Sequence, residues 1–265
     1  MMGDMKNIKD ITEQELGALR VITFDIDGVI IPTGTQLQEN ADGTELHMKS
    51  KQLSRQFVEN LKELKKHLKL NFSSGRNILY LKSLVNEIFD EDIFLQAENG
   101  NISWFEGKLT HSSHSADYFQ KLKIIRERIK GMIAGGDKRI RGFEPKMFIL
   151  TSHSDQMEDI PNLVQEVDPE GELYCLWTNE GYDIGSKSMS KGKGIKKLAR
   201  HLGINPKEIM TTGNNYNDAE MLKVGTGVTV EPVRVEAQYF IEHQPDELGG
   251  ELLAEFLLDY YRKRA

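Results

Sequence analysis

Apolar positions recur with two periods along most of the chain. Val21-Ile-Thr-Phe-Asp-Ile26 is a compact run rich in β-branched and aromatic residues, the pattern of a strand buried on both faces. Thr12-Glu-Gln-Glu15 before it has the spacing of a capping box and predicts a short helix. Ile30 to Met48 contains Pro32, Gly34 and the turn signal Asn40-Ala-Asp-Gly43, which predicts a hairpin-like flap. Phe57, Leu61, Leu64 and Leu68 then recur at helical spacing, and Leu70-Asn-Phe72 reads as a short strand. Ile78, Leu81, Leu84, Val85 and Ile88 mark a second helix, followed by the strand Ile93-Phe-Leu-Gln-Ala97. The rhythm resumes with a helix over Ile195, Leu198, Ala199 and Leu202 and the strands Ile209–Thr212 and Val228–Val230. A last helix runs around Leu252, Leu253, Phe256 and Tyr260. Alternating strand and helix predicts an α/β fold with a parallel sheet covered on both faces.

The middle breaks this rhythm. Tyr118, Phe119, Leu122, Ile125, Ile129 and Met132 form one amphipathic helix ended by Gly135-Gly136. Lys146-Met-Phe-Ile-Leu150 and Glu172-Leu-Tyr-Cys-Leu-Trp177 read as strands around a helix near Leu163 and Val167. A separate α+β domain inserted at 105–186 explains this best, with 1–104 and 187–265 forming the main domain.

Composition narrows the function classes. The 265 residues suffice for one large domain or two smaller ones, and 38% hydrophobic with 28% charged residues is ordinary for a soluble protein. A formal net charge of −7 argues against a nucleic-acid partner but leaves room for a local basic pocket. The single cysteine, Cys175, rules out an intramolecular disulfide and a cysteine-rich zinc site. No apolar run approaches the roughly 20 residues that span a bilayer. Met1 to Asp10 lacks the apolar core of a secretion signal, so the expected address is the cytoplasm, without a membrane partner.

Four polar clusters fall where predicted strands end or helices begin, which in an open parallel sheet is where ligands bind. Asp25-Ile-Asp27-Gly28 can turn two carboxylates to one side, and two such neighbours in a dry pocket split their apparent pKa values into a nucleophile and an acid–base partner. An acidic strand-to-turn junction gives the same spacing, but two acids ending so apolar a run without a cation would be destabilising. Ser73-Ser74-Gly75-Arg76 offers hydroxyl and backbone donors to an oxyanion, or is an ordinary turn with an N-cap serine. Ser190-Lys191-Gly192-Lys193-Gly194 can neutralise a phosphoryl oxygen, or is a solvated loop before a helix. Gly213-Asn214-Asn215-Tyr216-Asn217-Asp218 supplies oxygen ligands of the kind magnesium takes, or is an Asn-rich helix cap.

The ordered set resembles the haloacid dehalogenase (HAD) superfamily of phosphatases. Within it the chain is most similar to the Cof-like branch with an α+β cap inserted after the third core strand, related to sucrose-phosphatases and phosphomannomutases. The matching text is FDIDGVI, SSGR, ENG at Glu98 to Gly100, SKGKGI and GNNYNDAEML. This resemblance implies a Rossmann-like core, a C2-type cap that closes over the site, Mg²⁺ as cofactor and a small phosphorylated substrate such as a sugar phosphate. It implies Asp25 as the nucleophile that forms an aspartyl-phosphate and Asp27 as the acid–base partner whose carbonyl also binds metal. Ser74, with Gly75, Arg76 and Asn217, would hold the substrate. Lys191 would steady nucleophile and phosphate, and Asp25, Asp27, Asn214 and Asp218 would form the metal site. Two departures stand out: Asn214 replaces the family's usual aspartate, and Val228-Thr-Val-Glu-Pro232 replaces a glycine- and alanine-rich segment. Three readings therefore stay open: a phosphatase, a phosphomutase, and a non-catalytic phosphate-ligand binding protein, as monomer or homodimer.

Other features carry less. His111-Ser-Ser-His114 reads as a loop rather than a metal site, and Lys121 to Lys130 as a solvated helix face. Glu144 and Lys146 open a predicted strand of the insert and either read the substrate's leaving group or mark a surface strand end.

Overall fold

The computed structural model of the protein describes residues 5–40, 44–178 and 180–264. In chain order these form β1 (Lys6–Asn7), α1 (Glu13–Ala18), β2 (Val21–Phe24), β3 (Gln36–Glu39), β4 (Leu46–Lys49), α2 (Arg55–Leu64) and β5 (Lys69–Ser73). Next come α3 (Ile78–Leu84), β6 (Ile93–Ala97), β7 (Ile102–Phe105), β8 (Lys108–His111), α4 (Ala116–Ala134), β9 (Ile140–Glu144) and β10 (Leu150–Ser154). The remainder are α5 (Asp159–Val167), β11 (Leu173–Trp177), β12 (Gly181–Ser186), α6 (Lys191–Leu202), β13 (Ile209–Gly213), α7 (Ala219–Val224), β14 (Thr226–Thr229), β15 (Tyr239–Phe240) and α8 (Gly249–Arg262).

They pack as two compact units, one of 1–34, 51–111 and 190–265, the other of 35–50 and 112–189. The first is built on a nine-stranded sheet of order β1-β15-β14-β13-β2-β5-β6-β7-β8. Its strands pair in parallel from β1 to β6, and the β6–β7 and β7–β8 pairings are antiparallel. The run Val21–Phe24 is central because every residue in it is buried, so both of its faces need cover. Phe24 meets Phe57 of α2 edge-on at 5.6 Å between ring centroids. Val21 packs instead with Ile195, Leu198 and Ala199 of α6 and with Met221 of α7. Each such side chain contributes roughly 1.5–3 kcal/mol of burial, far more than helix propensity supplies. Local signals set the ends: Thr12 and Glu15 close their capping box with bonds of 3.1 and 3.2 Å, and α6 stops at Gly203 in the left-handed region.

The second unit is a six-stranded antiparallel sheet of order β11-β12-β10-β9-β3-β4. Ile125 and Ile129 of α4 and Ile160 of α5 cover one face through Phe143, Leu150, Tyr182 and Ile184. Strand alternation turns Glu144, Thr151 and Asp183 to the opposite face.

Several expectations change here. The flap between Ile30 and Met48 is the hairpin β3–β4, which belongs to the second sheet through the pairing of Glu39 with Phe143; residues 41–43 of its turn signal lie outside the described residues. Lys146–Leu150 is not a strand: 145–149 connect β9 to β10, since Pro145 has no N–H for a ladder and ends the pairing at Glu144. The strand before it, Ile140–Glu144, was hidden by its charges and by Gly142, whose φ of +139° places it 2.5 Å, measured from an added Cβ, from the Glu39 carbonyl. The helix after Arg76 ends at Leu84, short of Ile88. His111 ends β8 and so lies in a strand rather than a loop, and His114 stacks on Tyr118 at 4.3 Å. No helix among the described residues is long and apolar enough to cross a membrane.

Candidate active site

Asp25 follows directly on β2, at the carboxyl edge of the parallel sheet. Its N–H donates to the Thr212 carbonyl at 3.0 Å, which continues the ladder with β13 and fixes the side chain's origin. Lys191 enters from the first residue of α6, whose N-cap Ser190 accepts from the Lys193 N–H at 3.1 Å. The Lys191 ammonium lies 2.6 Å from Asp25 Oδ1 and 2.6 Å from Asp218 Oδ1, and it is 1% exposed.

Two buried carboxylates thus share one buried cation. Burial pushes the Asp25 carboxyl up, the Asp218 charge adds to that, and Lys191 only partly offsets them, leaving it at about 7. Burial also works against the Lys191 charge, but Asp218 and Asp25 outweigh it and hold the ammonium above the usual lysine range. The acidic neighbour that perturbs Asp25 is therefore Asp218, not Asp27 as the Asp-x-Asp spacing suggested. Asp27 has its own cation: Arg76 Nε and Nη2 reach its two carboxylate oxygens at 3.0 and 3.1 Å, a two-pronged pair.

Asp218 does more than charge neutralisation. Its second oxygen accepts the N–H groups of Asn214 and Asn215, both at 3.0 Å, so it shapes the loop after β13. Asn214 in turn donates from Nδ2 to the Asp27 backbone carbonyl at 2.9 Å. That contact needs Gly28, which has φ +77° and where an added Cβ would sit 2.4 Å from Asn214 Nδ2. Gly28→Ala is expected to destabilise the protein by about 1–3 kcal/mol, measured by urea denaturation, because it adds both a clash and left-handed strain.

The other predicted site residues sort as follows. Ser74 is buried, its N–H donates to Gln96 O at 2.9 Å, and its hydroxyl accepts the Arg76 N–H at 3.2 Å, so it braces the turn that aims Arg76. Gly75 is half-buried between them, and the N-cap of α3 is Asn77, not a serine. Asn217 Nδ2 donates to Asn99 Oδ1 at 3.5 Å. Asn99 sits in a segment given no role from the sequence: Glu98, Asn99 and Gly100 have φ of 51°, 55° and 88° in succession. The readable signal was Gly100 after a strand, since an added Cβ there would be 2.7 Å from the Ser190 carbonyl beside Lys191. Glu144 and Lys146 belong to the second unit. Lys146 Nζ lies 2.6 Å from Thr151 Oγ1 and 3.5 Å from both Glu144 and Asp183, in a polar cluster whose Thr151 and Asp183 had no sequence signal.

Whether the site fits a divalent cation follows from its donors. Asp25, the Asp27 carbonyl and the Asn214 amide form an oxygen-bearing set, which suits magnesium with waters and a phosphate oxygen. Three carboxylates (Asp25, Asp27 and Asp218) against two paired cations (Lys191 and Arg76) also leave one negative charge uncompensated. The set fits once Asn214 presents its oxygen in place of its nitrogen. Among the described residues no three His, Cys, Asp or Glu side chains cluster as a metal site, so such an ion would depend on the carbonyl and amide donors.

Comparison with known proteins agrees with this architecture. The profile of the haloacid dehalogenase-like hydrolases matches residues 136–238, which include Lys191, Asn214 and Asp218. A phosphoglycolate phosphatase of Methanopyrus kandleri is 25% identical over 245 residues, covering 89% of this chain and 95% of the relative. One of Methanospirillum hungatei is 27% identical over 233 residues, covering 83% and 94%. Among solved structures, a trehalose-6-phosphate phosphatase of Aspergillus fumigatus superposes with a TM-score of 0.61 at 16% identity, covering 96% of this chain and 99% of that one. A HAD subclass IIB sugar phosphatase superposes with a TM-score of 0.62 at 17% identity, covering 91% and 100%; at such identities the likeness speaks for the fold alone. Motif order, sheet topology and the profile match over 136–238 agree, and all three liken the chain to the haloacid dehalogenase-like hydrolases.

Proposed function

We propose that this phosphoric monoester hydrolase is a Mg²⁺-dependent phosphatase of a small phosphomonoester, a sugar phosphate or similar polyol phosphate, working through an aspartyl-phosphate on Asp25. The observation that carries the reading is the Asp25 carboxylate at the sheet's carboxyl edge, 2.6 Å from a fully buried lysine.

A carboxylate oxygen of Asp25 attacks phosphorus while the bond to the leaving oxygen breaks. Lys191 stays charged throughout and steadies both the nucleophile and the phosphoryl oxygens. Arg76 occupies both oxygens of Asp27. A phosphoryl group that draws the guanidinium away frees Asp27 to take up a proton from solvent, which it then gives to the leaving alkoxide. In the second half Asp27 takes a proton from water, the water oxygen bonds to phosphorus, and the bond to Asp25 breaks, releasing phosphate. Bound Mg²⁺ would neutralise phosphoryl charge, held by Asp25, the Asp27 carbonyl and Asn214, with Asp218 orienting that loop.

The test is phosphate release from a broad panel of sugar phosphates and other phosphomonoesters, with Mg²⁺ and with chelator. Mg²⁺-dependent release is expected, and a protein that turns over no member of the panel contradicts the proposal.

One observation favours a second reading. The bond from Asn214 Nδ2 to the Asp27 carbonyl closes the loop where an aspartate would need a cation, as suits a metal-free phosphate-binding protein. Asn214→Asp sets an acceptor against that carbonyl. It is expected to lower the metal-free melting temperature and to tighten Mg²⁺ about tenfold, read by thermal shift across a Mg²⁺ titration. Turnover in Asn214→Asp but not in the natural chain would favour the binding protein.

A further inference from the structure

β4 is the outermost strand of the second unit's sheet, and all four of its residues are exposed. Two of them are apolar: Leu46 is 58% and Met48 61% exposed. An exposed edge of this kind is a template for another strand.

The hydrogen-bond phase of the hairpin decides which backbone groups face outward. Asn40 N–H donates to the Glu45 carbonyl at 3.1 Å, so Asn40 and Glu45 form a hydrogen-bonded pair. Such pairs alternate along an antiparallel ladder, and the register places His47 opposite Gln38 and Lys49 opposite Gln36. Glu45, His47 and Lys49 therefore turn their backbone groups toward β3. Leu46 and Met48 turn theirs to the free edge.

This edge is complementary to itself. Laid antiparallel on a second copy about a two-fold axis at His47, each Leu46 falls opposite Met48 of the other chain. Those are the residues with outward N–H and C=O groups, so the two pairs exchange backbone bonds. On one face Leu46 packs against Met48. On the other face Glu45 meets Lys49, opposite charges in both symmetry-related pairs, while a one-residue slip in register would break both matches.

We propose that the protein forms an isologous homodimer by antiparallel pairing of β4 with β4, centred on His47. The sheet then runs unbroken through both copies. A four-residue edge buries less than the roughly 1,200 Å² typical of a stable interface, so the dimer is weak, with a Kd on the order of 10–100 µM.

Sedimentation equilibrium of the full chain up to about 1 mM tests this. The natural chain is expected to pass from monomer to dimer with concentration. Glu45→Lys, which sets lysine against Lys49, weakens the dimer by about tenfold or more, and adding Lys49→Glu restores it. Met48→Pro removes an outward N–H that β3 does not use, so it abolishes the dimer while the melting temperature stays near that of the natural chain. A chain that remains monomeric throughout overturns the proposal. So does a dimer indifferent to Glu45→Lys, or a double variant as weak as the single one.

Discussion

Asp25→Asn is expected to abolish phosphate release while leaving the fold as stable as before or more so. The amide cannot form an acylphosphate, so turnover falls by about 10³-fold or more. Stability moves the other way because the natural carboxyl is strained electrostatically: buried beside Asp218, it titrates at about 7 instead of its ordinary 3.8. A group whose pKa is raised on folding binds its proton more tightly in the folded state. Its stabilising contribution is full below 3.8 and is lost as pH rises through about 7. Thermal melts of the metal-free protein should therefore fall progressively as pH rises from about 4 to about 7 and level off above that, and Asp25→Asn should flatten the fall. Added Mg²⁺ should recover most of the loss at pH 8 in the natural chain and little of it in the variant.

Lys191→Met is expected to cost both activity and fold. Methionine nearly matches the lysine stem in length, so the loss is one of charge rather than packing. It leaves Asp25 and Asp218 buried together, and Asp218 is 0% exposed. Removing one partner from a buried ionic group typically costs about 3–5 kcal/mol, enough to unfold a protein of ordinary stability under mild denaturant. Adding Asp218→Asn should return a good part of it, since the second charge is what makes the first so costly. Urea denaturation of the single and double variants checks this, and equal stabilities for Lys191→Met and the natural chain would contradict the shared-cation arrangement.

The parallel sheet was legible because Val21–Phe24, Leu70–Phe72, Ile93–Ala97 and Ile209–Thr212 are too apolar to be anything but buried strands, and capped helices separate them. The second unit was harder to read. Its strands β9 and β12 carry Arg141, Gly142, Gly181, Asp183 and Gly185, so the two-residue alternation that marks a half-covered sheet is blurred by glycines and buried charges. The run Lys146–Leu150 looked like a strand because Phe148 and Ile149 are buried, but burial there serves a connection. At the site, residue types and order were visible in sequence, whereas pairing was not. Nothing in the spacing of Asp25 and Asp27 reveals that one answers to Lys191 and Asp218 and the other to Arg76. Those partners come from residues 49 to 193 positions away and exist only once the sheet is assembled.

The central claim is that Asp25 carries the phosphoryl group. The most direct measurement is acid quenching of the enzyme within its first turnovers on a phosphomonoester and Mg²⁺, followed by peptide mass spectrometry. A phosphoryl adduct on the peptide holding Asp25, absent from Asp25→Asn and lost when alkali is added, is the expected result. Turnover with no adduct, or an adduct on another residue, would contradict it.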